Sequence, residues 1–534
     1  MNQMNTLQLA PGLARGFLTA LILAAALQAE IGLADEPRFP IVAYTVAGNT
    51  LLSPAAIDAV VAPFVGPQST FATIEAAREA LEKAYLAAGF ASVRVLLPEQ
   101  DVEDGRIQLR VVEAVIGQIA VEGNKFFTSD NIRASVPALR EGQRPDLGAL
   151  DASLRVANEN GAKQTHVVFR QSRNEGEIDA VLRVGDDDPV HLALSLDNSG
   201  TKGTGMFRSG ILVQHNNLFD RDHALSAQVL TSPEHEKDVL IAGVGYHLPL
   251  YGLGDAIDLS YGYSNVSSGF ITAIGGTVSG SGQMLGIKYH HYLPRWGDWE
   301  HKLSLGFDHR AFENKVGTGA APGSQIPDVT VRPLSLTYGG QWRTEGLEFN
   351  ASLTYAHNLP GGQKGGAGDI DLSRKGADSQ YQLWRYTASL NAGLPGNWLL
   401  RWGLSGQFSR DALVSGEQFG LGGADSVRGF GERAVANDRG TRSSLELVSP
   451  DLGARIAEKV RTQVLAFYDW GEVRRNRAQP GETRFESIAS SGLGLRLGMD
   501  RSLSLRLDYG VVVNGDPVTR AGAGRWHGSL LWMF

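Results

Sequence analysis

Two short segments hold the residue types from which a working site could be built. The first is the glycine-rich run Gly416 to Gly440, with Val427-Arg428-Gly429-Phe430 at its centre; the second, about forty residues on, is Phe467-Tyr468-Asp469-Trp470-Gly471. The chemistry they offer is pairing. A guanidinium presents a planar fork of N–H donors that a carboxylate accepts through two parallel hydrogen bonds. Gly429 beside the arginine lets the backbone turn close against a wall. In the second segment Gln463, Leu465, Phe467 and Asp469 share one face of a strand, and Val464, Ala466, Tyr468 and Trp470 share the other. If that strand borders lipid, Asp469 must point inward, because an ionised side chain against hydrocarbon is costly. Composition alone allows the run 416–440 to be a plain surface loop; a carboxylate waiting on an inner face favours a loop folded inward.

Other candidate chemistries fail on spacing. The sequence has no Gly-x-Ser-x-Gly elbow, no His-Glu-x-x-His, no phosphate-cradling Walker loop and no cysteine, so neither an enzyme nor a cofactor or metal site is expected. His290 and His291 are neighbours on a strand and point to opposite faces, so they cannot share a ligand. Asp186-Asp187-Asp188 imitates a calcium site only superficially and reads as a solvated linker. Arg474, Arg475 and Arg477 fall in a long loop, where they are either solvated or in contact with acidic lipopolysaccharide. A net charge of −8 over 534 residues argues against a nucleic-acid partner.

The elements that must position Arg428 and Asp469 begin behind a leader. Residues 1–34 run from a polar start with Arg15, through the apolar stretch Phe17 to Leu27, to Gly32-Leu33-Ala34, the order of a secretory signal peptide and too short to span a bilayer. The exported chain needs no disulfide. Ile41 to Asp188 then mixes helix and strand. Ser53-Pro54 caps a helix expected to reach about Val65, and Thr73 to Ala88 forms a second, with Ile74, Ala77, Leu81, Ala84 and Tyr85 on one face. Strands follow at Ala91 to Leu96 and Arg106 to Val112. The order then repeats: Ile119-Ala120-Val121-Glu122-Gly123-Asn124 echoes Tyr44-Thr45-Val46-Ala47-Gly48-Asn49, with helices near 129–136 and 147–158 and strands at 166–170 and 178–184. A repeat of about 75 residues means two copies of one small α/β domain, 35–113 and 114–188. Each leaves a sheet edge that either packs on its neighbour or accepts an extended partner strand.

From Val190 the period changes to two. Ile257, Leu259, Tyr261 and Tyr263 alternate with Asp258, Ser260, Gly262 and Ser264; Leu503, Leu505, Leu507 and Tyr509 alternate with Ser502, Ser504, Arg506 and Asp508. One greasy and one polar face fit a barrel with lipid outside and water inside. Sixteen such segments lie between 190 and 534, joined alternately by short turns (218–222, 343–346, 394–397, 499–501) and long loops (266–282, 312–328, 360–379, 472–487). The expected fold class is therefore an all-β transmembrane barrel of 16 antiparallel strands over 189–534, preceded by two α/β domains on the short-turn side. A barrel that wide leaves an aqueous bore, so something must obstruct it at rest. The run 416–440 joins strands eleven and twelve.

The segments Val46-Ala47-Gly48-Asn49-Thr50, Tyr85 with Gly89-Phe90, Pro98-Glu99-Gln100, Asp104-Gly105 and Val112-Glu113 resemble POTRA domains of two-partner secretion transporters, the TpsB-type hemolysin secretion/activation family. Val427-Arg428-Gly429-Phe430 resembles that family's inward-folded loop tip, and Phe467, Asp469 and Gly471 its strand-thirteen motif. The last strand, with Trp532 and Phe534, resembles the signal read when outer-membrane barrels are inserted. The resemblance implies a transporter in the cell outer membrane with periplasmic POTRA domains. Its partners would be an unfolded β-helical exoprotein (an adhesin or hemolysin), outer-membrane lipids, and the barrel-assembly machinery during biogenesis. The few residues between leader and first strand leave no place for the plug helix of some members. The alternative from the same superfamily is a component that assembles or inserts outer-membrane proteins.

Overall fold

The computed structural model describes residues 37–534 apart from 91, 103, 175, 267–268, 275, 279–280, 314–326, 454–458 and 501; the leader 1–34 and the segment that would hold a plug helix lie outside the described residues. Contacts divide the chain into two compact units. One comprises the first α/β domain with residues 142–147 and 172–178; the other comprises the remainder of the second α/β domain and the barrel.

In the first α/β domain the strand Ala43–Ala47 pairs in parallel with Arg106–Glu113, which pairs antiparallel with Val93–Leu96. Ser53 caps the helix Pro54–Val61 by accepting from the Ala56 N–H. That helix stops short of the expected Val65 and tightens into a 3-10 turn, Ala62–Phe64. Pro63 explains the difference, since it has no N–H to continue the ladder. The second helix, Phe71–Ala87, buries Ile74, Ala77, Leu81 and Tyr85 against Ile107, Leu109 and Val111. Burial of each such side chain is worth roughly 1.5–3 kcal/mol. A short antiparallel pair, Phe39–Ile41 with Gly66–Ser69, was not expected from the alternation and lies beside the sheet proper.

The second domain repeats the strand order, with Val115–Glu122, Glu177–Asp186 and Lys163–Gln171 in one sheet and Glu177–Asp186 in the middle. The echo seen in sequence has a physical basis. Gly48 and Gly123 both adopt positive φ, and a Cβ on either would sit 2.4 Å from a carbonyl oxygen, that of Val111 or Val184. The asparagine after each glycine donates to the carbonyl three residues on, Leu52 or Phe127, at 2.8 Å. Asp186 closes the second copy by accepting from the N–H groups of Lys125, Phe126 and Phe127, so it is a structural acceptor rather than part of a solvated linker.

Among the described residues sixteen antiparallel strands close into a barrel. They are β1 (Val190–Asp197), β2 (Arg208–Leu218), β3 (His223–Thr231), β4 (Ile241–Leu250), β5 (Asp255–Ser264), β6 (Ser281–Tyr292), β7 (Trp299–Glu313) and β8 (Val329–Val331 continued by Pro333–Thr344). The remainder are β9 (Leu347–Asn358), β10 (Gln382–Leu394), β11 (Trp398–Ser409), β12 (Arg439–Val448), β13 (Val460–Arg474), β14 (Phe485–Met499), β15 (Leu503–Asn514) and β16 (Gly524–Met533). β8 is one strand interrupted at Arg332, and both of its segments pair with β7. The barrel closes where β16 pairs with β1, from Ser529 opposite Asp197 to Met533 opposite Ala193. Alternation places Leu259, Tyr261, Leu285, Ile287, Val464 and Tyr468 on the outer surface. Tyr468 is 47 % exposed while Asp469 beside it is fully buried, which fixes the face of β13 that points inward.

Substituting Gly123 by Ala should destabilise the second α/β domain by about 1–3 kcal/mol, the usual strain of a forbidden backbone conformation, and leave the barrel intact. Protease protection of residues 117–186 in urea, measured beside the heat-modifiability of the barrel on gels, checks this. Equal losses in both would contradict it.

Candidate functional site

The connection between β11 and β12, residues 410–438, enters the bore. Its stem is a small hairpin in which Phe419–Leu421 pairs with Val435–Asn437. Leu421, Val427, Phe430 and Val435 pack against Val473, Ile488 and Val512 on the inner faces of β13, β14 and β15. Val427 and Phe430, on either side of the tip, are thus apolar anchors and fully buried.

Between them Arg428 meets the wall. Its Nε donates to Asp469 Oδ2 at 2.7 Å, its Nη2 to Asp469 Oδ1 at 2.8 Å, and its own backbone N–H to Asp469 Oδ2 at 3.1 Å. Nη1 donates to Glu446 Oε1 at 2.7 Å. The guanidinium carbon lies 3.5 Å from the centre of the Phe467 ring, a cation–π stack. Ser444, opposite Asp469 in the ladder, donates its hydroxyl to Asp469 Oδ1 at 2.6 Å. Both ions are almost wholly enclosed, Arg428 at 2 % and Asp469 at 0 % exposure. Removing one member of such a pair leaves the other unsolvated, at a cost of about 3–5 kcal/mol.

The strand-thirteen motif follows from this geometry. Phe467, Asp469 and Gly471 are two residues apart and share the inner face. Phe467 stacks under the guanidinium and Asp469 chelates it. Gly471 makes room for Leu421 of the hairpin, whose methyl would lie 2.8 Å from a Cβ there. Gly429 has φ +91°, and its N–H donates to His527 Nε2 on β16 at 2.9 Å. Gly510 on β15 is the complementary notch, where a Cβ would come within 2.7 Å of the Gly429 nitrogen.

The wall contributes groups that the sequence reading did not single out. Asp508 on β15 lies 3.6 Å from Arg428 Nη1 and is itself held by Arg496 at 2.7 Å and Arg506 at 2.8 Å. Arg506 also donates to Asp425 Oδ1 and to the Ala424 carbonyl, each at 2.6 Å, and Arg442 donates to the Asp425 carbonyl. Glu446, Asp508, Ser444, His527, Arg506 and Arg442 all sit on the polar alternation of their strands. Their only sequence signal is that period, which marks every lumenal residue alike. Beside the tip a cavity of about 350 Å³ is lined by Ser405, Asp425, Arg428, Arg442, Glu446 and Arg506.

The ends of the loop are fastened separately. Glu417, 1 % exposed, accepts from Arg310 of β7 at 2.8 Å and Arg385 of β10 at 2.9 Å. Asp438, fully buried, accepts from Arg374, from the Leu413 N–H at 2.9 Å and from the Asn476 N–H at 2.6 Å. Gln407 Nε2 donates to the carbonyls of both Glu417 and Asp438, at 2.9 and 3.0 Å, and so pinches the two roots together.

The remaining candidates are placed as follows. Trp532 and Phe534 are exposed at the short-turn end of β16, their rings 4.6 Å apart, and the Phe534 N–H donates to the Leu192 carbonyl across the closing seam. His290 pairs with Asp258 and His291 with Asp255, on opposite faces. Arg474, Arg475 and Arg477 are engaged internally, by Glu472, Glu482 and the Gly376 carbonyl.

Residues 176–497 match the family model described as haemolysin secretion/activation protein ShlB/FhaC/HecB, and residues 39–114 match the ShlB-type POTRA domain. The outer membrane transporter CdiB of Escherichia coli is 26 % identical over 434 residues, covering 76 % of this chain and 68 % of that one. The heme/hemopexin transporter protein HuxB of Haemophilus influenzae (strain 86-028NP) is 19 % identical over 391 residues, covering 71 % and 66 %. In fold the chain is similar to solved structures of CdiB from Escherichia coli (TM-score 0.77, 21 % identity, 99 % of this chain and 100 % of that one) and from Acinetobacter baumannii (TM-score 0.69, 18 % identity, 98 % of each). The protein is an outer-membrane transporter with periplasmic POTRA domains, not an enzyme. The chain belongs to the haemolysin secretion/activation protein family, ShlB/FhaC/HecB, the outer-membrane transporters of two-partner secretion.

Proposed function

We propose that this transporter binds an unfolded β-helical exoprotein, an adhesin or hemolysin, through its POTRA sheets and passes it outward through the barrel once the loop tip releases the wall. The observation that carries this reading is the Arg428–Asp469 pair. A loop rooted at Glu417 and Asp438 but held at its tip by one buried ion cluster can move without disturbing the barrel ladders. The POTRA sheets end in the edge strands Val93–Leu96 and Lys163–Gln171, whose outer sides have no strand partner among the described residues. An extended chain would add there through backbone hydrogen bonds. The sequence contains no nucleotide-binding loop, so folding of the passenger outside the cell supplies the outward bias.

Export on this reading needs the tip both to seat on the wall and to leave it, so Arg428→Ala, which opens the pore but abolishes the seat, should reduce export below detection while the barrel accumulates and remains heat-modifiable; normal secretion by this variant would rule out a role for the pair. Gly510→Val, which places a branched side chain against the loop backbone, should raise resting conductance in planar bilayers without loss of the folded barrel, and an unchanged resting current would contradict the notch. A passenger whose β-helix cannot fold should stall; efficient export of it would remove folding as the driving force. Depletion of the transporter should leave other outer-membrane barrels at normal levels, whereas their loss would favour an insertion role.

A further inference from the structure

The second α/β domain meets the barrel through a buried cation. Lys163, at the start of the edge strand Lys163–Gln171, has a side chain with no exposed surface. Its Nζ donates to Asp222 Oδ2 at 2.5 Å and to Asn131 Oδ1 at 3.1 Å, and lies 5.3 Å from the centre of the Phe127 ring. Burial pulls the lysine pKa below its usual range, against the opposing attraction of Asp222. Asp222 closes the turn between β2 and β3. It also accepts from the hydroxyl of Tyr251 in the next short turn, so one carboxylate ties two barrel turns to the α/β domain.

That turn has an unusual backbone. Phe219, Asp220 and Asp222 all have φ between +54° and +61°, a region that non-glycine residues enter at a cost unless the surroundings fix them. Asn217 fixes it from within, accepting from the Asp222 N–H at 3.1 Å and donating to Asp220 Oδ1 at 3.0 Å, and the α/β domain adds to that fixation. Thr128 donates to Asp220 Oδ2 at 2.5 Å, Asn131 to Asn217 Oδ1 at 3.3 Å, and Asn160 to the Asn216 carbonyl at 2.7 Å. A second set of contacts reaches the turn after β6: Arg155 donates to the Leu293 carbonyl at 2.5 Å, and Glu159 accepts from Lys302 at 3.0 Å and from the Tyr292 hydroxyl.

We propose that Lys163, clamped by Asp222, is a positioning residue for export: it seats the second POTRA domain on the β2–β3 turn, so that its edge strand delivers the passenger to the bore. This rests on the export reading above. The pair lies away from the loop tip and touches no part of the Arg428 cluster, so its contribution is to alignment rather than to closure of the pore. Asp222→Asn keeps a residue that tolerates positive φ but strands the buried cation. Lys163→Gln/Asp222→Asn replaces the ion pair with a neutral hydrogen-bonded one.

The test uses full-length protein in outer membranes with a co-expressed β-helical exoprotein. In Asp222→Asn, tryptic cleavage at Arg155, Lys163 and Arg170 should quicken at least tenfold and export should fall at least tenfold. Binding of a labelled amino-terminal fragment of that exoprotein should stay within twofold of the wild type. The double variant should recover at least half of wild-type export. If Asp222→Asn does not reach the membrane, Thr128→Ala/Asn160→Ala, which removes the joint's bonds to the Asp220 carboxylate and the Asn216 carbonyl but leaves the Lys163–Asp222 pair in place, should slow export two- to fivefold. Export at the wild-type rate despite faster cleavage would overturn the proposal, as would a loss of fragment binding in step with export. A wild-type protein that exports nothing would instead defeat the export reading, and the cleavage rates would then decide the joint alone.

Discussion

A sixteen-strand barrel is too wide for its own side chains to fill, and that constraint shapes the rest of the molecule. The bore is occupied by chain, and chain placed there must satisfy its polar groups against a wall of alternating inward residues. Here the contact is one arginine whose fork and backbone N–H both converge on Asp469, with Glu446 accepting from the remaining edge of the guanidinium. Apolar anchors on each side exclude water from it. The wall opposite is notched at Gly471 and Gly510, where any side chain would collide with the loop. Charge sets the orientation of the tip, and the notches set its depth.

The fastening is hierarchical. The roots at Glu417 and Asp438 draw partners from β7, β10 and the loops before β10 and after β13, whereas the tip depends on one cluster contributed by β12, β13, β15 and β16. At the periplasmic end the same device recurs: a single buried carboxylate, Asp222, gathers donors from separate elements.

Much of this was legible in the residues. The change of period at Val190, the alternation of short and long connections, and the Gly-Asn echo at 48 and 123 gave barrel and repeat alike, because each follows from a local rule of backbone geometry. Arg428 and Asp469 could be paired because an inward-facing carboxylate on β13 needs a cation and the glycine-rich run 416–440 offers one at its centre. What escaped notice was set by tertiary register. Glu446 and Asp508 belong to the cluster only because β12 and β15 place them level with Asp469, and no spacing within a strand records that. Asp186 looked like a linker residue because its three donors lie about sixty positions upstream. The early stop of the first helix is legible in Pro63, although the apolar run that continues through it masks the break.

The central claim is that Arg428 and Asp469 act as one latch. A double-mutant cycle on closed-state occupancy in planar bilayers, with Arg428→Ala, Asp469→Asn and the double variant, tests it most directly. The account predicts that each single change opens the pore to a similar degree and that the double change adds almost nothing, a coupling at the upper end of the ~0.5–3 kcal/mol seen for residues in contact. Additive effects of the two changes, with no coupling energy, would contradict it.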